Sequence, residues 1–161
     1  MPMEKLRQAF AALGFQNVKT LLASGNVLFE SSTDNSSAHV ARIEQKLKTA
    51  FGHEVGVVLR PVSDLQKLAK ANPFKNIKIT PQTRLYVTFL REKANSRLKI
   101  PYVSPEGDFT ILRASDKEVC TVLTLSPQRQ TTDLMALVDK EFGRKVTTRN
   151  WNTIIRILGK A

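Results

Sequence analysis

Two junctions in this chain share one spacing, and no other feature constrains the fold as much. Phe51-Gly52-His53-Glu54-Val55 and Phe142-Gly143-Arg144-Lys145-Val146 both read Phe-Gly-x-x-Val, and Leu13-Gly14 followed by Val18 is a looser third copy. In each, a helix ends on an apolar residue, a glycine turns the chain through the left-handed region, and a β-prone residue follows. A chain of 161 residues with three such junctions must layer helices on sheets. The junctions read either as ordinary helix-to-strand turns or as the trace of a duplicated subdomain, and both give the same architecture.

Periodicity supplies the elements. Met3, Leu6, Phe10 and Leu13 recur at helical steps. Residues 18–23 and 27–31 predict a hairpin, with Ser24-Gly25-Asn26 as its turn. Val40, Ile43, Leu47 and Phe51 mark a second helix, and Val55, Val57, Val58 and Leu59 a strand that stops at Pro61. Ser63 with Gln66 reads as a capping box for a helix carrying Leu65 and Leu68, closed by Asn72-Pro73. Strands are predicted over 85–90, 108–113 and 118–125, with 100–103 extended inside a basic connection. Thr132 or Asp133 caps a helix bearing Leu134, Leu137, Val138 and Phe142. A brief strand at Val146 and Thr147 leads to a terminal helix with Trp151, Ile154, Ile155 and Leu158 on one face.

The order from residue 3 is therefore α-β-β-α-β, then α, then β-β-β-α-β-α. The expected fold class is α+β. Two related ferredoxin-like subdomains with mixed or antiparallel sheets would span residues 1–61 and 62–161, and the first strand of the N-terminal one is missing. Such a gap leaves a sheet edge that another segment or a second copy can fill, so a homodimer through that edge is one expected partner.

Charge narrows the function. Residues 60–99 carry ten basic and two acidic side chains, and residues 144–161 carry five basic and none acidic. These two segments hold all of the excess behind a net charge of +11. A segregated positive field attracts polyanions. The candidate anion-binding or nucleic-acid-binding residues are Arg60, Lys67, Lys70, Arg84, Arg144, Lys145, Arg149, Asn150 and Asn152. Thr147 or Thr148 would cap the last helix and aim its free N–H groups, with Arg149, Asn150 and Asn152, at an anion. The bland alternative has the asparagines as caps and Trp151 as a core anchor. Phe74 and Tyr86 lie among the basic residues, an arrangement that suits single-stranded nucleic acid.

Catalytic patterns are absent. The chain has no nucleophile elbow, phosphate loop or dinucleotide-binding glycine pattern. His39 and His53 have no ligand spacing around them, so neither metal nor cofactor is expected. Cys120 is the single cysteine and reads as a small apolar filler. With no run of 18 apolar residues and no leader pattern, the expected location is the cytoplasm, without a membrane partner. The leading reading is a non-catalytic module that binds RNA or DNA. The alternative is an enzyme for a small anionic or phosphorylated substrate, held between the subdomains by Arg60, Arg149 and Asn150.

Residues 4–13, the hairpin Leu22-Ala23-Ser24-Gly25-Asn26-Val27-Leu28-Phe29, and the tail Thr147-Thr148-Arg149-Asn150-Trp151-Asn152-Thr153 resemble the bacterial family called domain of unknown function 1697. The resemblance implies an α+β fold of two related subdomains and no established activity. It also implies an apolar first strand and an Arg-Gly-Ile-Asn-Val-Gly-Gly-like turn ahead of the first helix, for which this sequence has no counterpart.

Overall fold

The computed structural model describes residues 2–21, 25–33, 35–128, 131–143 and 145–161. The expected turn residue Ser24, the candidate Arg144 and the capping side chain of Thr132 lie outside the described parts. The chain divides into two compact units, one of Met1–Leu59 with Lys160–Ala161 and the other of Arg60–Gly159.

In the first unit, helix α1 (Met3–Ala12) leads through Gly14 into strands β1 (Gln16–Leu21) and β2 (Asn26–Glu30), and helix α2 (Ser36–Phe51) follows. Gly14 and Gly52 sit at φ +88° and +78°, the conformation that makes glycine the cheap residue at these helix ends. Asn35 caps α2, its Oδ1 accepting from the Ala38 N–H at 3.1 Å. Leu6, Ala9, Phe10, Phe15, Ile43 and Leu47 form the core. Within it the rings of Phe15 and Phe29 lie 4.3 Å apart.

The strand expected at Val55–Leu59 does not form, although Val55 and Val57 pack against this core. A ladder requires a partner strand, and among the described residues this segment has none; the Val57 N–H donates instead to the Glu44 carboxylate at 3.3 Å. The first unit thus holds a two-stranded antiparallel sheet.

The second unit runs from helix α3 (Val62–Ala71) through β3 (Thr83–Leu90), β4 (Tyr102–Val103), β5 (Phe109–Ala114), β6 (Glu118–Thr124), helix α4 (Thr131–Phe142) and β7 (Val146–Asn150) to helix α5 (Trp151–Lys160). Its sheet has the order β4-β5-β6-β3-β7, and all four neighbouring pairs are antiparallel. The nearly unbroken apolar run of β3 places it inside, buried on both faces from Tyr86 to Leu90. Alternation points Tyr86 and Leu90 to one face, where they join Phe109, Ile111, Val119 and Leu123 against Leu134, Val138 and Phe142 of α4. Val87 and Phe89 point the other way and are equally buried, as are Cys120, Leu68, Phe74 and Ile154.

The chain is an α+β protein, and both sheets are antiparallel rather than mixed. Among the described residues neither unit shows a complete ferredoxin-like βαββαβ repeat: the first shows two strands, and in the second β3 is followed by β4 without a helix between them. Three local expectations also change. Helix α3 starts at Val62 with Pro61 in the capping place and no side-chain cap: the proline ring has no acceptor to offer, and Ser63 already lies inside the helix. Thr147 and Thr148 are ladder residues of β7, opposite Phe89 and Thr88, so neither caps α5. Ile155, expected on the inward face of α5, is 45% exposed. No helix of the described residues is long and apolar enough to cross a membrane.

Candidate polyanion-binding surface

The basic residues divide by what their charged ends touch. Arg60 is half-buried. Its Nη2 donates to the Leu90 carbonyl and, at 3.0 Å, to that of Lys117, and its guanidinium lies 6.0 Å from the Phe89 ring. Burial lowers its pKa, with the carboxylates of Glu118 and Asp64 acting in the opposite sense. Arg60 therefore pins the start of α3 to the end of β3. Arg149, also half-buried and lowered in pKa by burial, folds back so that Nη1 donates to Thr147 Oγ1 and the Thr148 carbonyl, both at 3.0 Å. Arg84 Nη1 donates to the carbonyls of Pro81 at 2.8 Å and Thr83 at 3.0 Å, bracing the entry to β3. Of the four arginines expected to meet an anion, Arg144 lies outside the described residues and the other three are engaged with the protein's own oxygens.

The basic stretch also parts in space. Helix α3 begins beside Leu90, and residues 72–82 lead back to Thr83 at the other end of β3. The eight residues of β3 span about 25 Å. Lys75 and Lys78 therefore belong to one end and residues 91–99 to the other.

The far group is met by carboxylates only in part. Lys93 Nζ lies 3.9 Å from Asp116, and nearby Lys145 Nζ lies 3.1 Å from Glu92, whereas Arg97 and Lys99 are exposed and have no carboxylate partner among the described residues. An open groove of about 510 Å³ here is lined by Lys93, Lys140 and Lys145 together with Glu92 and Glu141. Its charges largely cancel.

The near group is different. Lys67, Lys70, Lys75 and Lys78 are exposed, and none has a carboxylate partner among the described residues. Asp64 is the single acid between residues 60 and 91, and Lys117 in the turn between β5 and β6 holds it at 3.2 Å. Phe74 packs edge-on against Trp151, ring centroids 5.2 Å apart, which joins this stretch to the first turn of α5. There Asn150, Asn152 and Arg156 are exposed. The four-residue step from Asn152 to Arg156 puts both on one helix face. Arg156 was not among the residues singled out from the sequence, although that spacing was there to be read.

One further expectation fails. Phe74 and Tyr86 are 4% and 9% exposed, so neither offers a ring for base stacking. His39 is buried, its Nε2 lies 3.0 Å from the Thr33 carbonyl and 3.0 Å from Ser31 Oγ, and it braces the turn into α2. A carbonyl only accepts, so Nε2 carries the proton and is no base for Ser31. Cys120 is fully buried and its thiol is pushed up to about 12 by burial, which makes it inert as a nucleophile. Among the described residues no cluster of His, Cys, Asp and Glu could hold a metal ion.

A family model described as protein of unknown function (DUF1697) matches residues 1–119. Among solved structures, the conserved bacterial protein SP0830 from Streptococcus pneumoniae is similar in fold, with a TM-score of 0.70 at 19% identity over 99% of this chain and 88% of that one. No curated protein matches the chain.

Proposed function

The chain belongs to the DUF1697 family, and from that premise we propose that it is a non-catalytic polyanion-binding module of the cytosol whose ligand is RNA or DNA. One observation carries the reading: Lys67, Lys70, Lys75 and Lys78 are exposed without carboxylate partners among the described residues, while Asp64, the single acid within that stretch of sequence, is tied to Lys117. Lysines left unpaired in this way present mobile point charges to phosphates. The absence of an exposed aromatic ring among them favours contact with the phosphate backbone over contact with bases. Duplex and single strand should therefore both bind, with little sequence preference.

The binding residues of this proposal are Lys67, Lys70, Lys75, Lys78, Asn152 and Arg156. Arg60, Arg84 and Arg149 are structural in it, and Lys145 is neutralised by Glu92. A labelled oligonucleotide titrated by fluorescence anisotropy at low and at physiological salt tests the idea. Binding that weakens steeply with salt is expected. No binding at low salt would end the proposal.

A further inference from the structure

Among the described residues three large apolar side chains are exposed: Ile79 by 61%, Val103 by 59% and Ile155 by 45%. Single exposed hydrophobics are ordinary on a protein surface, so position and neighbours decide whether one of them matters. Val103 lies on β4, separated from β3 by two strands. The other two adjoin the proposed phosphate contacts. Ile155 precedes Arg156, and Ile79 follows Lys78 and stands four residues from Lys75.

The backbone around Ile79 is fixed from the start of β3. Thr83 Oγ1 accepts the Thr80 N–H at 2.9 Å, and it lies 3.1 Å from Thr80 Oγ1 and 3.5 Å from the Lys78 carbonyl. One hydroxyl thus touches the peptide groups on both sides of Ile79. The Thr83 N–H donates to the Thr80 carbonyl at 3.0 Å, and Arg84 Nη1 holds the Pro81 carbonyl at 2.8 Å. This order does not bury Ile79, most of whose surface stays in water. It presents the side chain in a set place instead, and a contact preorganised in this way loses little entropy on binding.

An aliphatic side chain set among unpaired ammonium groups matches one feature of nucleic acid. The lysines meet phosphates. A branched apolar group without donors or acceptors can enter between two base pairs and part them, as apolar wedges do. Isoleucine has no ring to stack on a free base, so an opened step of a duplex suits it better than a single strand. Opening costs least where the stack is already interrupted or the step is flexible.

We propose that Ile79 is a wedge residue, and that the best ligand of this surface is a duplex with an unstacked or deformable step, kinked where Ile79 enters. This role rests on the nucleic-acid reading above. An anionic bilayer also attracts lysines, but anchoring there needs more apolar surface than one fixed isoleucine supplies.

Anisotropy titrations at low salt with three short duplexes test the wedge: one continuous, one nicked and one bulged, with a fluorescent base analogue beside the interruption to report unstacking. Wild type should bind the bulged duplex about 5- to 10-fold more tightly than the continuous one, the scale of one or two methylene groups leaving water. The analogue should brighten on binding. Ile79→Ala should lose the preference and the brightening, yet keep the salt slope, the affinity for the continuous duplex and the thermal midpoint, since the side chain is exposed. Val103→Ala, which removes an equally exposed apolar group elsewhere, should change none of these. Equal binding to all three duplexes, or an Ile79→Ala protein that matches wild type, would overturn the wedge and leave the nucleic-acid reading standing. No binding to any duplex or single strand would end both. Binding to phosphatidylserine vesicles that exceeds binding to every duplex and falls in Ile79→Ala would assign the residue to a membrane and overturn the wedge.

Discussion

Replacing Lys67, Lys70, Lys75 and Lys78 together by glutamine removes four exposed charges that have no carboxylate partners among the described residues. With Arg156 they make five proposed phosphate contacts. For duplex DNA each contact contributes about −0.9 to the slope of log K against log salt, so the wild-type slope should be about −4.5. Between 50 and 200 mM salt, affinity should then fall about 500-fold. The variant keeps one contact, a slope near −0.9 and a fall of about 3.5-fold over the same interval. Exposed lysines without partners contribute little to folding, so its thermal midpoint should stay within about a degree or two of wild type. Anisotropy titrations at three salt concentrations give both slopes, and calorimetry gives both midpoints. A variant with an unchanged slope would refute the reasoning, because the charge that binds would then lie elsewhere on the molecule.

Arg60→Ala makes the opposite prediction. It should destabilise the protein by about 1–3 kcal/mol through loss of two charged donors to the Leu90 and Lys117 carbonyls, leaving the salt slope intact, as denaturant titration and anisotropy together would show. Thr121 is fully buried, and its Oγ1 has no hydrogen-bond partner among the described residues. Thr121→Val should therefore stabilise by about 1 kcal/mol, a rise of roughly 2–4 °C in the thermal midpoint. Cys120 has its thiol raised from 9.0 to about 12 in the native state. The native state keeps a proton that the unfolded chain releases, so this contribution is complete below about pH 9 and declines as pH climbs towards 12, at about 1.4 kcal/mol per pH unit. Above pH 9 the midpoint of wild type should accordingly fall more steeply than that of Cys120→Ala, and a parallel fall would refute the assignment.

What the sequence disclosed was local. The glycine junctions at Gly14, Gly52 and Gly143 are legible because positive φ is a property of one residue, and all three adopt it. Helices α1 and α2 and strands β3, β5 and β6 fall close to where periodicity puts them, since burial on one face or on both imprints itself directly on the order of side chains. What failed was whatever needed a distant partner. Val55–Leu59 has every mark of a strand, yet among the described residues it belongs to neither sheet. Thr147 and Thr148 are good capping residues, yet the ladder to Phe89 and Thr88 claims them first. Phe74 looks like a stacking ring in a basic stretch until Trp151 is found against it.

The candidate site followed the same rule, and the chemistry of the two cations explains which residues moved. A guanidinium carries five donors in a planar fork and loses less on dehydration than an ammonium, so wherever carbonyls converge the fold draws an arginine inward. Arg60, Arg84 and Arg149 each sit at an end of β3 or beside it in β7, where strand termini leave carbonyls to be met. An ammonium on four methylenes is strongly hydrated and stays in water unless a carboxylate reaches it. A count of positive charge along the chain cannot separate these fates, because it weighs an arginine that fastens the sheet equally with a lysine that faces solvent. In the proposed reading the lysines of α3 and the turn after it meet phosphate together with Arg156, and Arg60, Arg84 and Arg149 matter because without them that surface has no fixed shape.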